Sequence, residues 1–152
     1  MIGVGGPTIA VAGEGDIDAI AILEAAVQEF PWTRRHFADS LAAGYRLRVC
    51  RDGVALAGFS VAMTVLDEAH LLDIVVGRDW QGRGLGAALL RGVMDEALGS
   101  GAGTIFLEVR ASNEQAIGFY ERFGFSRIGR RRGYYPAAAG REDALIYQRE
   151  LT

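Results

Sequence analysis

A glycine-rich loop at residues 81–87 has the composition of a phosphate-binding site. It reads Gln-Gly-Arg-Gly-Leu-Gly-Ala and leads into a segment with apolar residues at helical spacing. Glycine lets the backbone approach a ligand without a Cβ in the way. The first N–H groups of a helix have no internal partners, and the helix dipole adds partial positive charge there. We therefore expect this loop and the helix behind it to bind a phosphate group.

Two other interpretations of the loop stay open. One is a tight turn into a helix that binds no ligand. The other is a dinucleotide-binding fold, because Gly82, Gly84 and Ala87 match its fingerprint and Glu108 lies about where its ribose-binding acid is expected. We favour this fold least, since residues 77–81 separate the loop from its strand and the fold needs a longer chain. A Walker loop is excluded, because no Lys-Ser/Thr follows the glycines.

Four helices are predicted from apolar spacing and capping residues. Asp16 caps the first, which ends before Pro31, and Thr33 caps the second, which runs through Leu41. The third extends from about Gly84 to Leu98. A capping box of Ser112 and Gln115 begins the fourth, which ends at Gly124.

Seven strands are predicted from alternating or continuous apolar runs. A hairpin at Asp52-Gly53 joins residues 45–49 to 59–65, and a turn at 66–69 leads to a buried strand at 71–76. The other strands are expected at residues 9–11, 104–109, 125–131 and 144–150. This order predicts an α/β or α+β fold, with helices packed on a sheet, in one domain spanning residues 1–152.

Composition narrows the class of protein. No run of about 18 apolar residues is present, and residues 1–15 lack a basic residue ahead of an apolar run, so we expect a cytoplasmic protein that does not bind membranes. Cys50 is the single cysteine and is expected to be inert packing, and with two histidines no metal site is expected. All 16 basic residues are arginine and the net charge is −3, so direct nucleic-acid binding is not expected.

Several motifs recur in a fixed order between Leu71 and Phe125. They are the strand 72–76, the loop residues Gln81, Gly84 and Gly86, and Ser112-Asn113 followed by Ala116, Tyr120 and Gly124-Phe125. On these motifs the segment resembles the GNAT family of acetyltransferases. The resemblance implies the GNAT fold, with a mixed, mostly antiparallel sheet of six to seven strands flanked by about four helices. It also implies direct transfer of acetyl from acetyl-CoA, as co-substrate, to an amine without a metal.

A narrower resemblance, over residues 30–146, is to bacterial members of the family that acetylate an N-terminal alanine of a ribosomal protein. The motifs that carry it are Phe30-Pro31-Trp32, residues 65–69, residues 107–113, residues 131–136 and residues 140–144. Two positions depart from the pattern, since Asp73 and Gly133 stand where Asn is expected. The implied acceptor is a protein N-terminus, and specifically the alanine of a small-subunit ribosomal protein.

The resemblance also implies a role for each site residue. Glu108 matches the general base, acting through water, and Tyr120 matches the general acid that protonates the leaving thiolate. The cofactor-binding residues are Ile74, Val75 and Val76 for the pantetheine arm, Gly82, Arg83, Gly84, Leu85, Gly86 and Ala87 for the pyrophosphate, and Asn113. The acceptor-binding residues are Phe30, Trp32, Asp73, Tyr134 and Tyr135, with both aromatic pairs expected on loops. Asp73, if ionised, would favour a cationic N-terminus or a basic residue just after it.

Each of these assignments has a structural alternative. Glu108 could be a solvated carboxylate, Tyr120 a core aromatic, and the four acceptor aromatics plugs over the core. The cluster Arg130–Arg132 could meet an acidic partner or ribosomal RNA, or it could be a solvated strand. The whole chain could also acetylate another protein N-terminus or a small amine, or bind acyl-CoA without catalysis.

Protonation equilibria favour an α-amine as the acceptor. An α-amine with a pKa near 7.8 is roughly 10–15% neutral at pH 7, whereas a lysine near 10.4 is about 0.04% neutral. The difference is about 3.5 kcal/mol, so a single carboxylate base suffices more readily for an N-terminus than for a lysine.

Overall fold

The computed structural model describes residues 6–152, which form seven β-strands and four α-helices. The strands are β1 (Thr8–Val11), β2 (Arg46–Asp52), β3 (Ala55–Val65), β4 (Glu68–Val76), β5 (Thr104–Arg110), β6 (Ser126–Ala137) and β7 (Gly140–Glu150). The helices are α1 (Ile17–Val27), α2 (Arg34–Ala42), α3 (Leu85–Gly99) and α4 (Glu114–Arg122). Short 3₁₀ turns precede α1 and α3, at Glu14–Asp16 and Arg78–Trp80.

The strands form a mixed sheet in the order β1-β2-β3-β4-β5-β7-β6. Strand β4 pairs with β5 in parallel, and β1 with β2, β2 with β3, β5 with β7 and β6 with β7 are antiparallel pairs. The predicted fold class is therefore confirmed, both in the number of strands and in the mixed, mostly antiparallel pairing.

The described chain divides into two compact units, each with its own buried residues. The first contains the described residues up to Met63 together with Leu72–Glu96. In it, Ile17 and Ile20 of α1 and Phe37 of α2 pack with the apolar residues of β2 and β3. The second contains Thr64–Leu71 and Ala97–Thr152. Its buried residues include Ile105, Leu107, Val109, Tyr120 and Tyr147.

Two predicted boundaries are wrong for identifiable reasons. Strand β4 begins at Glu68, so the turn before it is only Leu66-Asp67; the parallel ladder with β5 starts there, at Glu68 opposite Thr104. Helix α4 is capped by Asn113, whose Oδ1 accepts the Ala116 N–H at 3.1 Å, whereas the Ser112 N–H donates to Glu142 at 2.7 Å. The carboxylate of Glu142, thirty residues away, therefore takes Ser112 out of the predicted capping box.

The other deviations are extensions or local changes. Strands β6 and β7 are longer than predicted because they pair up to Ala137 opposite Gly140, across a tight turn. Asp16 precedes α1 without a side-chain capping bond; its carboxylate accepts the Gly13 N–H and pairs with Arg51. Thr33 caps α2 as predicted, through the His36 N–H.

The expectation about residues 1–15, that no basic residue precedes an apolar run as in a signal peptide, lies partly outside the described residues, which begin at residue 6. No helix in residues 6–152 has the length and apolar content that crossing a bilayer requires.

Candidate functional site

The glycine loop presents open backbone ahead of helix α3. Gly82 and Gly84 have φ angles of +80° and +81°, in the left-handed region that favours glycine. A Cβ added at either position would meet no atom of the described chain within 4 Å. The Ala88 N–H bonds to the Gly84 carbonyl, and the amides of the first turn before it have no helical acceptors. An anion such as a pyrophosphate fits this arrangement.

Side-chain hydrogen bonds hold the loop against the end of β4. Gln81 donates through Nε2 to the Val76 carbonyl at 3.0 Å, and Arg83 donates to the Asp79 carbonyl at 3.1 Å. The Trp80 indole donates to Asp52 of β2 at 3.0 Å. Gln81 therefore has a positioning role, which its place in the glycine motif did not reveal.

Strand β4 continues beyond its ladder with β5. The pairing covers Glu68–Leu71, and the predicted pantetheine-binding residues Ile74, Val75 and Val76 follow it. Backbone groups of a strand beyond its ladder can pair with another extended chain that carries amides, as the pantetheine arm does. The assignment of these three residues stays a prediction that the fold accommodates.

Substitution of Gly84 provides a test of the loop. Gly84→Val places a branched side chain where the phosphate is expected, and it should weaken acetyl-CoA binding at least about tenfold by titration calorimetry. Gly101→Val is the matched control, because Gly101 also has a positive φ (+94°) and open space around its Cβ, so it carries the same backbone strain. Equal affinity in the two folded variants would exclude the loop as the binding site.

Glu108 lies on β5 in the second unit, opposite Ile146 of β7. Arg131 Nε lies 2.7 Å from Glu108 Oε2, and the Arg131 guanidinium also covers the Tyr134 ring at 5.3 Å. This buried oxygen therefore has an ion-pair partner but no hydrogen-bond donor among the described residues. It is an available acceptor for a proton or a water molecule.

Tyr120 is buried on α4, with 7% of its surface exposed. Its ring makes edge contacts with Phe119 and Phe125, at centroid distances of 5.3 and 5.7 Å. The Tyr120 ring therefore packs as a core aromatic residue. This packing fixes the direction of the phenol and is compatible with a role of the hydroxyl as an acid.

The loop before α4 is organised by an ion pair. Glu142 of β7 accepts the Ser112 N–H and pairs with Arg110 at 3.2 Å, and the contacts with Ser112 and then Arg110 hold the pKa of Glu142 below its usual range. Arg110 also lies over the Tyr135 ring at 4.5 Å. Asn113, predicted to bind cofactor, uses its Oδ1 to cap α4, so only its amide N–H groups are available as donors.

Tyr134 and Tyr135 do not lie on a loop, contrary to expectation. Both belong to β6, at an irregularity in its pairing with β7 between Arg131 and Tyr135. Gly133 forms this bulge with φ +57°, and its N–H donates to Asp143 at 2.9 Å. Asn, which the resemblance predicts at position 133, is the other residue that readily adopts a positive φ, so the departure preserves the backbone.

The Phe30-Pro31-Trp32 segment joins α1 to α2 in the first unit. The Trp32 ring stacks on His36 at 4.0 Å and packs against the core of that unit. The backbone N–H of Trp32 donates to Oε2 of Glu24 at 2.9 Å, and the Glu24 carboxyl in turn acts on the Asp73 carboxyl. The structure thus connects Trp32 and Asp73, both predicted acceptor residues, through Glu24, a residue that its place in a helical pattern did not single out.

Within the described residues, no three His, Cys, Asp or Glu side chains converge as a metal site would need. Cys50 is fully buried, and burial raises the pKa of its thiol, as expected for an unreactive packing residue.

Comparison with known proteins places this geometry in a family. Residues 17–125 match the model of the acetyltransferase (GNAT) family. The chain is 41% identical over 140 residues to ribosomal protein bS18-alanine N-acetyltransferase of Escherichia coli strain K12, covering 91% of this chain and 94% of that protein. It is 31% identical to the enzyme of the same name from Haemophilus ducreyi, covering 88% and 92%.

A solved structure agrees with these sequence matches. The crystal structure of the ribosomal-protein-S18-alanine N-acetyltransferase from Escherichia coli superposes with a TM-score of 0.90 at 39% identity, covering 96% of this chain and 94% of that one. The resemblance seen in the sequence is confirmed. The chain belongs to the GNAT family and is an N-acetyltransferase.

Proposed function

We propose that this chain, as a single domain, transfers acetyl from acetyl-CoA to the N-terminal α-amine of a protein, with the alanine N-terminus of a small-subunit ribosomal protein as the acceptor. Similarity over nearly the whole length to enzymes named for that reaction supports the acceptor. The observation in the site that carries the reaction is the buried Oε2 of Glu108, a carboxylate oxygen without a hydrogen-bond donor among the described residues.

In the proposed mechanism Glu108 receives the proton of the acceptor, directly or through one water molecule. The neutral amine nitrogen then attacks the thioester carbonyl carbon, a C–N bond forms and the C–S bond breaks. The nitrogen releases its second proton to solvent, which balances the proton that Tyr120 gives to the thiolate and later regains. Oε2 of Glu108 can accept this proton because no hydrogen-bond donor among the described residues occupies its lone pair. A positioned base of this kind typically contributes about 10²–10⁴-fold in rate.

Tyr120 donates its phenol proton to the departing CoA thiolate. Its ring is fixed between Phe119 and Phe125, so the hydroxyl points in one direction. A phenol has a pKa near 10 and a thiol a pKa near 8.5, so proton transfer from the phenol to the thiolate is not favourable by itself. We therefore assign this step a smaller effect on the rate than the step that uses the base.

The binding roles follow the same scheme. The amides of residues 82–87 hold the pyrophosphate of acetyl-CoA, the backbone of residues 74–76 pairs with its pantetheine arm, and Asn113 contributes a further cofactor contact. Tyr134, which is 44% exposed, and Phe30, which is 37% exposed, present ring surface to the acceptor peptide. We expect an aromatic ring that contacts the acceptor to limit the room for the first side chain, which favours a small first residue.

A panel of acceptors tests the proposal. Peptides beginning with Ala, Ser, Met or Leu, an Nα-blocked lysine peptide and spermidine are compared by kcat/KM. Alanine should exceed leucine by at least about tenfold, the scale of a steric pocket, and the blocked peptide should be nearly inert. Faster turnover of spermidine or of the lysine peptide would instead identify a small-amine or side-chain acetyltransferase.

A further inference from the structure

Two carboxyl groups face each other inside the first unit. Glu24 on α1 is 2% exposed, and its carboxyl group is close enough to that of Asp73 on β4 to raise the pKa of Asp73. Oε1 of Glu24 and Oδ2 of Asp73 are both buried, and neither meets a donor among the described residues. Two ionised carboxylates in this position would repel each other and leave both oxygens unsatisfied, whereas one proton between them satisfies both.

The remaining two oxygens have donors. The Trp32 N–H donates to Glu24 Oε2 at 2.9 Å, and Gln28 Nε2 lies 3.5 Å from Asp73 Oδ1. The Trp32 N–H therefore holds one carboxyl oxygen of Glu24, and the place for a shared proton is between the other oxygen, Oε1, and Oδ2 of Asp73.

We propose that Glu24 and Asp73 share one proton, and that this proton holds the Phe30-Pro31-Trp32 segment in place for binding of the acceptor. Glu24 and Asp73 are positioning residues, since they act on the acceptor through the backbone of Trp32. The role of the segment in acceptor binding rests on the proposed function, whereas the shared proton does not.

The electrostatic surroundings of Asp73 agree with this arrangement. Burial, followed by the hydrogen bond and the charge of Glu24, raises the pKa of Asp73 well above its usual value. The Ile74 N–H and Gln28 act in the opposite direction, and no cationic side chain is among the described groups that act on Asp73. Since the folded-state pKa is raised, the stabilisation is fully present below about pH 3.8 and is lost as pH rises through that raised value.

The proposed pH dependence follows from the presence of Asp at position 73 of this chain. The resemblance predicts Asn there, and an amide donates a hydrogen bond to Glu24 at every pH. Asp73 donates one only while it is protonated. Asp73→Asn therefore converts a pH-dependent donor into a permanent one with almost no change in shape, and it should rescue the positioning at high pH.

The experiment compares the wild-type chain, Asp73→Asn and the control Asp39→Asn, which makes the same chemical change at an exposed aspartate on α2. KM for an Ala-initiated peptide, kcat and the melting temperature are measured across pH. Dividing the wild-type KM by the Asp73→Asn KM cancels the pH effects that both proteins share, namely protonation of the acceptor and of Glu108. This ratio should rise by up to about tenfold for each pH unit above the pKa of the pair, as the competent fraction falls.

An infrared spectrum provides a readout that does not depend on activity. The wild-type protein should show a protonated-carboxyl band at a pH where free aspartate is ionised, and Asp73→Asn should lack it. Glu24→Gln gives a second variant with a permanent donor, should Asp73→Asn fail to fold. A constant KM ratio, or the absence of the infrared band, overturns the inference. If no peptide is acetylated while the band is present, the proposed function fails and the shared proton stands.

Discussion

Glu108→Gln is expected to lower kcat by about 10²–10⁴-fold, a larger loss than we expect from any other single substitution in the site. The amide keeps the shape of the side chain but cannot take a proton from the acceptor. The loss should shrink as pH rises, because a growing fraction of the α-amine is then neutral without help from a base. Acetyl-CoA affinity should stay at the wild-type value, since Glu108 has no assigned role in holding the cofactor.

Rapid-quench measurement of kcat between pH 6 and pH 9 gives the decisive profile for Glu108→Gln. Glu68→Gln is the matched control, because Glu68 is a carboxylate on a strand whose side chain is 55% exposed and has no proposed role. A Glu108→Gln variant with kcat near wild type at every pH would show that the carboxylate is only a strand-end charge paired with Arg131.

Tyr120→Phe should lower kcat by about 10²-fold, at the small end of the range for a proton-transfer group. The loss should persist at all pH values below the phenol pKa, because the thiolate then lacks its proton donor. The fold should be unaffected, since a phenylalanine ring keeps the edge contacts with Phe119 and Phe125.

A second buried tyrosine separates catalysis from stability in this test. Tyr147 is 1% exposed and its hydroxyl bonds to Glu121 at 2.9 Å. Tyr147→Phe should therefore lose about 1 kcal/mol of stability by denaturant unfolding while kcat stays near wild type. The acid assignment fails if Tyr120→Phe behaves like this control, with unchanged turnover and intact acetyl-CoA binding.

The parts of the fold that the sequence predicted are those determined by neighbours along the chain. Glycines on both sides of α3 fix its limits, and the alternation in β2 and β3 with a glycine turn fixes their hairpin. Thr33 caps α2 through a residue three positions away. Local chemistry of this kind is visible in a sequence because the interacting groups lie within a few residues of each other.

The missed features depend on residues that are far apart in the chain. Ser112 is drawn out of its predicted capping box by Glu142, and the position of Trp32 depends on Glu24, which faces Asp73 on another element. The bulge that places Tyr134 in a strand depends on a bond from Gly133 to Asp143. No period or motif records such a contact, because it is created only when the strands and helices pack.

The most direct test of the proposed acetyl transfer is to incubate the protein with acetyl-CoA and a cell lysate and to map new acetyl groups by mass spectrometry. We expect new acetyl groups on the α-amines of protein N-termini that begin with alanine, with a small-subunit ribosomal protein among them, and their loss with Glu108→Gln. Acetyl groups confined to lysine side chains or to small amines would contradict the proposed function.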